Sequence, residues 1–503
     1  MDATSTPAYK FELVSSIADV TAKPGKRYVD FIILQLNDVY EAGPVEGGRL
    51  GGVARVATLR QSLERENPNL LVVMSGDFLA PSVISATTGD SGQHMIEALN
   101  AAGVTHCTVG NHEFDISESD LVLRVAESKF RWVISNVTNA RGRLFAKMVK
   151  NDVVEFSNPQ GAAVRVGLIG LCLDMAKKTW VKYQDPLTVA RQQVEELAPS
   201  ADVLVALTHL KVEQDKQLAT DVAELDVLMG GHEHEAATAI VGEDATPIFK
   251  ADSNARSACV HRFRFDTKTN TTKLHTQLLP IDTSIAEDPE TAAIVAKWQK
   301  VTFDTLRAQG INPDEIVGYT QEPLIGDEKL VRSGPTNLTD YIVSAFLAEV
   351  PNADAVLYSS GLIRLDGVIP AGNVTYFDVV RIFPVGGRLS VLSLPGSLVK
   401  LLLSIGESSK GTGGYQALAN ITRAANGAWL IKGAPIVDDQ MYRIVAGDMP
   451  VAAFSYPPFK GSGAAKEYDT REVRAILADR FRADRALQDQ GLPQKSGAIP
   501  ASS

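Results

Sequence analysis

The chain has 503 residues, more than one hydrophobic core sustains, so two or three domains are expected. With 45% hydrophobic and 22% charged residues, its composition is that of an ordinary globular protein. A net charge of −11 at pH 7 excludes a nonspecific binder of nucleic acid or anionic membrane, although metal ions or local arginines can still offer phosphate a positive site.

The opening residues, MDATSTPAYKFELVSS, lack a basic stretch followed by an apolar one, so no signal peptide and a cytoplasmic location are expected. No apolar run approaches the ~18 residues needed to span a bilayer, so no membrane segment is expected. Five apolar runs in the first half each stop at a polar cluster. FIILQL (31–36) runs into Asn37-Asp38, LLVVMS (70–75) into Gly76-Asp77, and HCTV (106–109) into Gly110-Asn111-His112-Glu113. DVLVALT (202–208) precedes His209, and DVLMG (226–230) precedes Gly231-His232-Glu233-His234. Helix-like segments lie between them at Val53 to Glu64, Gly92 to Ala102 and Pro186 to Leu197. Alternating strands and helices predict an α/β domain with a parallel or mixed sheet, whose ligands gather beyond the carboxyl ends of the strands.

RVGLIGLCL (165–173) and the alternating stretch Cys259 to Phe265 carry this domain to about Ile281. Asp288 to Leu306 reads as an amphipathic connector helix. From Glu315 a second α/β unit is expected, with a helix at Thr339 to Val350 and strands at Ala355 to Tyr358, Arg388 to Ser393 and Tyr442 to Ala446. The expected boundaries are therefore 27–282, a connector at 283–314, a second domain at 315–486, and a disordered tail, rich in Gln, Gly, Pro and Ser, at 487–503. The three cysteines, Cys107, Cys172 and Cys259, are scattered, and two lie in apolar runs, which reads as reduced core cysteines.

Taken singly, each polar cluster is an ordinary turn. As an ordered set, Asp38, Asp77, Asn111-His112, His209, His232 and His234 all follow apolar strands and are expected to share one sheet edge. Four of the eight histidines fall in this set, so chance is a poor account of it. Two divalent ions ~3.5–4 Å apart need a bridging carboxylate, and Asp77 after Gly76 is the natural bridge. His209, His232 and Asn111 would complete one ion, and Asp38 with His234 the other. Mixed nitrogen and oxygen ligands suit Zn, Mn, Fe or Co and not a dedicated Ca site. Such ions acidify a bound water and polarise a phosphoryl oxygen. His112 would protonate or stabilise the leaving oxygen, with Asp115 orienting its ring.

These residues resemble a known family. LNDVYE, SGDFLAPS, GNHEFD, THL and GGHEHE look like the five blocks of the calcineurin-like metallophosphoesterases, and the whole is similar to their 5′-nucleotidase branch. The resemblance continues through VRSGPTNLTDYIVSAF, SSGLIR, IFPVGGRL and GTGGYQALANIT, so that it spans roughly Phe31 to Phe459. It implies a two-sheet α/β sandwich with a smaller mixed α/β substrate-binding domain. It also implies metal ligands at Asp38, Asp77, Asn111, His209, His232 and His234, a catalytic pair His112–Asp115, and hydrolysis of nucleotide monoesters, pyrophosphates or cyclic nucleotides.

Two departures stand out. The family's Asp-x-His is Asp38-Val39-Tyr40 here. Three readings follow: Tyr40 is a phenolate ligand to trivalent iron, it packs beside an open and water-completed position, or the first site is weak. The second is favoured, because open positions are normal at catalytic metals. In the second domain, the turn Pro384-Val385-Gly386-Gly387 lacks the family's base-stacking ring, and Ser360-Gly361-Leu362-Ile363-Arg364 keeps the arginine of the family's Asn-Gly-Gly-Ile-Arg but loses its asparagine. Arg364 would meet a phosphate or carboxylate, and Phe454, Tyr456 and Phe459 offer stacking surface or local packing. The expected activity is dinuclear metal-dependent hydrolysis of phosphate esters, most simply 5′-nucleotides. Against it stand a metal-binding scaffold that has lost turnover and a nuclease, the latter disfavoured by the acidic balance.

Overall fold

A computed structural model describes residues 11–21, 25–243, 245–449 and 451–489. It divides into two compact units, Met1–Thr302 and Phe303–Ser503, so the cut falls inside the helix Pro289–Ala308.

The first unit has two mixed sheets. Its strands, in chain order, begin with β1 (Phe11–Leu13), β2 (Tyr28–Leu36), β3 (Leu70–Ser75), β4 (His106–Thr108) and β5 (Arg131–Trp132). They continue with β6 (Asn151–Ser157), β7 (Ala163–Cys172), β8 (Val203–His209) and β9 (Val227–Gly230). The last four are β10 (Ala237–Val241), β11 (Thr246–Lys250), β12 (Ser257–Asp266) and β13 (Thr271–Pro280). One sheet runs β1-β13-β12-β2-β3-β4-β5, and the other runs β10-β11-β9-β8-β7-β6. The expectation of one shared sheet edge therefore does not hold. Asp38, Asp77 and Asn111 follow strands of the first sheet, whereas His209, His232 and His234 end or follow strands of the second.

The continuous apolar runs follow from burial on both faces. In β2, Phe31 and Ile33 face a core shared with Val166, Leu168, Val205 and Met229 of the other sheet. Ile32, Leu34 and Leu36 face a second core with the helices Val53–Glu66 and Gln93–Ala102. Phe31 stacks on Phe263, with centroids 4.5 Å apart and planes at 4°.

In the second unit, five strands form the order β16-β14-β17-β15-β18, where β14 is Ala355–Ser359, β15 Arg388–Pro395, β16 Gln416–Ala419, β17 Met441–Gly447 and β18 Ala465–Glu472. The helix Asn337–Glu349 starts at a Thr336/Thr339 capping box, as its threonines permit. The tail expected from 487 overlaps the last helix, Val473–Asp489, and its remainder lies outside the described residues, as do the first ten.

Candidate metal centre

Asp38, Asp77 and His209 each have one side-chain polar atom secured by a backbone group. Asp38 Oδ2 accepts from His232 N and Asn37 Nδ2, both at 2.8 Å. Asn37 is itself fixed to Ala251 through both its amide atoms. Asp38 Oδ1 is buried without a hydrogen-bond partner. His209 Nδ1 donates to Ser75 O at 2.8 Å, which turns Nε2, buried and without a hydrogen bond, toward the two carboxylates. That atom lies 3.1 Å from Asp77 Oδ2 and 3.9 Å from Asp38 Oδ1. Asn111 Oδ1 is buried and without a partner too. The His232 ring stands 5.3 Å from that of His209, and His234 Nε2 is 3.5 Å from Asp38 Oδ1. One ligand atom from each of Asp38, Asp77 and His209 lies within 4.8 Å of the others.

The backbone at these positions is strained. Asp38, Asp77, His232 and His234 all have positive φ (52°, 58°, 89° and 56°), a conformation that non-glycine residues adopt at a cost. A structure that keeps four such residues in one place is spending stability on aiming them. Close approach is equally demanding at Gly110, where a Cβ would lie 2.1 Å from Asp77 Oδ1.

The electrostatics call for positive charge. Burial pushes Asp77 up, but His209 and His112 prevail and hold it well below the usual carboxylate range. Asp38 is raised, because burial outweighs His209 and His234. Burial would lower His209, yet Asp77 and Asp38 raise it to about 9. His232 is pushed down to about 2 by burial and by His209, so it is a neutral imidazole ready to donate a lone pair. Buried, unpartnered oxygen and nitrogen atoms around two carboxylates are what a divalent cation requires, and the donor set fits one.

Tyr40 lies in the site, with its hydroxyl donating to Asp77 Oδ2 at 2.9 Å and 3.0 Å from His234 Nε2. His112 N donates to Asp77 Oδ1 at 2.8 Å, and His112 Nδ1 meets Asp115 Oδ2 at 2.6 Å, which turns Nε2 outward. In the second unit, Arg364 is half-buried, with no ion pair or hydrogen bond to its guanidinium among the described residues. Its loop is hooked to the Gly413 turn by Gly361 N donating to Gly413 O at 2.9 Å. Phe454 packs edge-on against Phe459 at 5.5 Å, while Tyr456 is 66% exposed.

The sequence reading passes over Glu113. This fully buried carboxylate accepts from the backbone N–H groups of Asp77, Phe78, Leu79 and Gly110 at 2.6–3.0 Å. Asn254 is likewise missed, although its Oδ1 accepts from Tyr40 N and Glu41 N at 3.1 Å each. Glu113 carried a signal, since an acidic residue inside GNHEF beside two ligand loops has few other uses. Asn254 carried none.

The sequence matches the family model for calcineurin-like phosphoesterases over residues 31–236 and that for the 5′-nucleotidase C-terminal domain over 316–452. Protein UshA of Yersinia enterocolitica is 25% identical over 474 residues, covering 82% of this chain and 84% of that one. A Homo sapiens 5′-nucleotidase is 24% identical over 386 residues, covering 70% of this chain and 65% of its own. The crystal structure of a 5′-nucleotidase precursor from Thermus thermophilus superimposes with a TM-score of 0.73 at 20% identity, covering 91% of this chain and 97% of that one, a likeness of fold.

Proposed function

The chain belongs to the calcineurin-like metallophosphoesterases of the 5′-nucleotidase family, and from that premise we propose that it hydrolyses nucleotide phosphate esters at a centre for two divalent ions. The observation that carries this reading is the convergence of two buried atoms without hydrogen bonds, Asp38 Oδ1 and His209 Nε2, with the Asp77 carboxylate within 4.8 Å. Asp38, Asp77, Asn111, His209, His232 and His234 would hold the ions, with Asp77 shared. Bound there, divalent ions supply positive charge to a phosphoryl oxygen and acidify water. Tyr40 donates a hydrogen bond to Asp77, and a bound ion beside it would be left with a position for water, the second of the three readings. Asp115 holds the His112 ring in the tautomer that offers Nε2 to the leaving oxygen, as general acid–base catalysis requires.

Arg364 supplies the second unit's anion contact. The absence of a ring at Val385 and the edge-on packing of Phe454 against Phe459 argue against a base sandwiched between two aromatic faces in the family's usual manner. We also place the protein in a reducing compartment, because all three cysteines are free and buried. Among the described residues no helix is long and apolar enough to cross a membrane.

The test is phosphate release from a panel of 5′-nucleotides, cyclic nucleotides and nucleotide-sugars, alongside the metal content of protein purified without added metal. About two ions per chain are expected, with turnover abolished by chelator and by Asp77→Asn, and reduced by roughly 10²–10⁴-fold in His112→Ala. Bound metal without turnover on any substrate would leave the scaffold reading in its place.

A further inference from the structure

Strand β11 ends in Lys250, a lysine with a fully buried side chain that the proposed chemistry does not use. Its ammonium donates to Leu210 O and Gly231 O, each at 2.7 Å, and pairs with Asp215 at 2.7 Å and with Glu233. Leu210 follows His209, Gly231 precedes His232, and Glu233 separates His232 from His234. Glu233 also accepts from Val212 N at 2.6 Å, so the two histidine-bearing segments are tied together twice. Room for the lysine comes from Gly230, its partner across the sheet, where a Cβ would sit 2.8 Å from Lys250 Cε.

Stripping an ammonium of water is costly unless acceptors meet its protons, and methionine would fill the same space without that cost. Three of the four acceptors here belong to the segments that carry His209, His232 and His234. The fourth, Asp215, lies on the helix Val212–Asp221 behind them.

We propose that Lys250 is a positioning residue for the metal centre, setting the distance between the His209 segment and the His232–His234 segment, with Glu233 as its anchor on the latter. The proposal rests on the metal-centre reading above. It predicts that the link matters for how tightly ions are held, and not only for whether the unit folds.

Lys250→Met alone would strand the buried Asp215 carboxylate, so the informative variant is Lys250→Met with Asp215→Asn. The readouts are melting in EDTA, Mn²⁺ affinity by chelator competition, and the visible spectrum of the Co²⁺-loaded protein. The double variant is expected to melt lower than wild type in EDTA, because Leu210 O and Gly231 O lose their donor, and while folded to bind Mn²⁺ at least ~10-fold more weakly and with an altered Co²⁺ spectrum. A double variant that folds and binds Mn²⁺ within about twofold of wild type overturns the proposal. Should the double variant not fold, Glu233→Gln decides, because that side chain is 25% exposed and its loss leaves Lys250 paired with Asp215. Weaker Mn²⁺ binding with an unchanged melt supports the tether, and unchanged binding refutes it. Wild type that binds no divalent ion would instead overturn the metal-centre reading itself.

Discussion

Replacing Glu113 by glutamine tests how the loop that carries Asp77 is held. Glu113 Oε1 accepts from Phe78 N at 2.7 Å and Leu79 N at 3.0 Å, while Oε2 accepts from Asp77 N at 2.8 Å and Gly110 N at 2.6 Å. Burial and the nearby Asp77 push this carboxyl up, but each oxygen faces two N–H donors, so a proton on either would find no acceptor and the ionised form is the one these contacts select. Glutamine keeps one acceptor oxygen and turns an NH₂ toward the other two donors, leaving two buried N–H groups unmet. At ~1.5–3 kcal/mol for each hydrogen bond to a charged group, the loss is about 3–6 kcal/mol, comparable with the whole stability of many domains. Three of the four tryptophans lie in the first unit, so fluorescence-detected urea unfolding in EDTA reports on it. A destabilisation below about 1 kcal/mol would refute the reasoning and show that the Asp77 loop is held by other means.

Gly110→Ala would place a Cβ 2.1 Å from Asp77 Oδ1 and force that carboxylate aside, so roughly 10²-fold slower phosphate release is expected, and a near-normal rate would separate Asp77's position from turnover. Tyr40→Phe removes the donor to Asp77 Oδ2 and should leave metal content and the visible spectrum of iron-loaded protein unchanged; an absorption band present in wild type and absent in the variant would make Tyr40 a ligand. At Asp90, burial pushes the carboxyl up, but the His94 ring and backbone N–H, both at 2.7 Å, prevail and hold it at about 2. A depressed carboxylate stabilises the fold above its unfolded pKa, and that contribution fades as pH falls from about 4 to 2. Asp90→Asn should therefore remove about 2 kcal/mol of the acid-dependent loss of stability over that interval, measured by urea unfolding at stepped pH.

Strands were legible because burial on both faces writes continuous apolar runs, and the helix Pro186–Leu197 matches its expected span because Asp185 caps it and proline opens it. Strand pairing was not legible. Nothing in FIILQL or DVLVALT says that the first joins β3 and β12 while the second joins β7 and β9, so two sheets were read as one edge. The candidate ligands were visible because polar residues after buried strands are rare enough to form a pattern. Their supports were not, since Asn254 meets Tyr40 across 214 positions and Lys250 meets Leu210 across 40, and no local spacing encodes either contact.

The tyrosine at position 40 shows where such reading stops and why. From the sequence, Asp-x-Tyr in place of Asp-x-His reads as a missing nitrogen ligand, with the choice of metal left to decide what replaces it. In the structure, the phenol spans Asp77 and His234, two residues from opposite sheets, and its backbone N–H is tied to Asn254. A neutral donor to a shared carboxylate withdraws a little of its charge and fixes its rotation, whereas an imidazole there would add a bond to one ion. On the proposed function, the substitution exchanges a ligand for an orienting contact, at a site where four non-glycine residues have positive φ. On that account Tyr40→His should tighten the first ion, while lost hold on Asp77 opposes any gain in rate. A Tyr40→His variant that binds Mn²⁺ no more tightly than wild type in chelator competition would show that the open position is not beside residue 40.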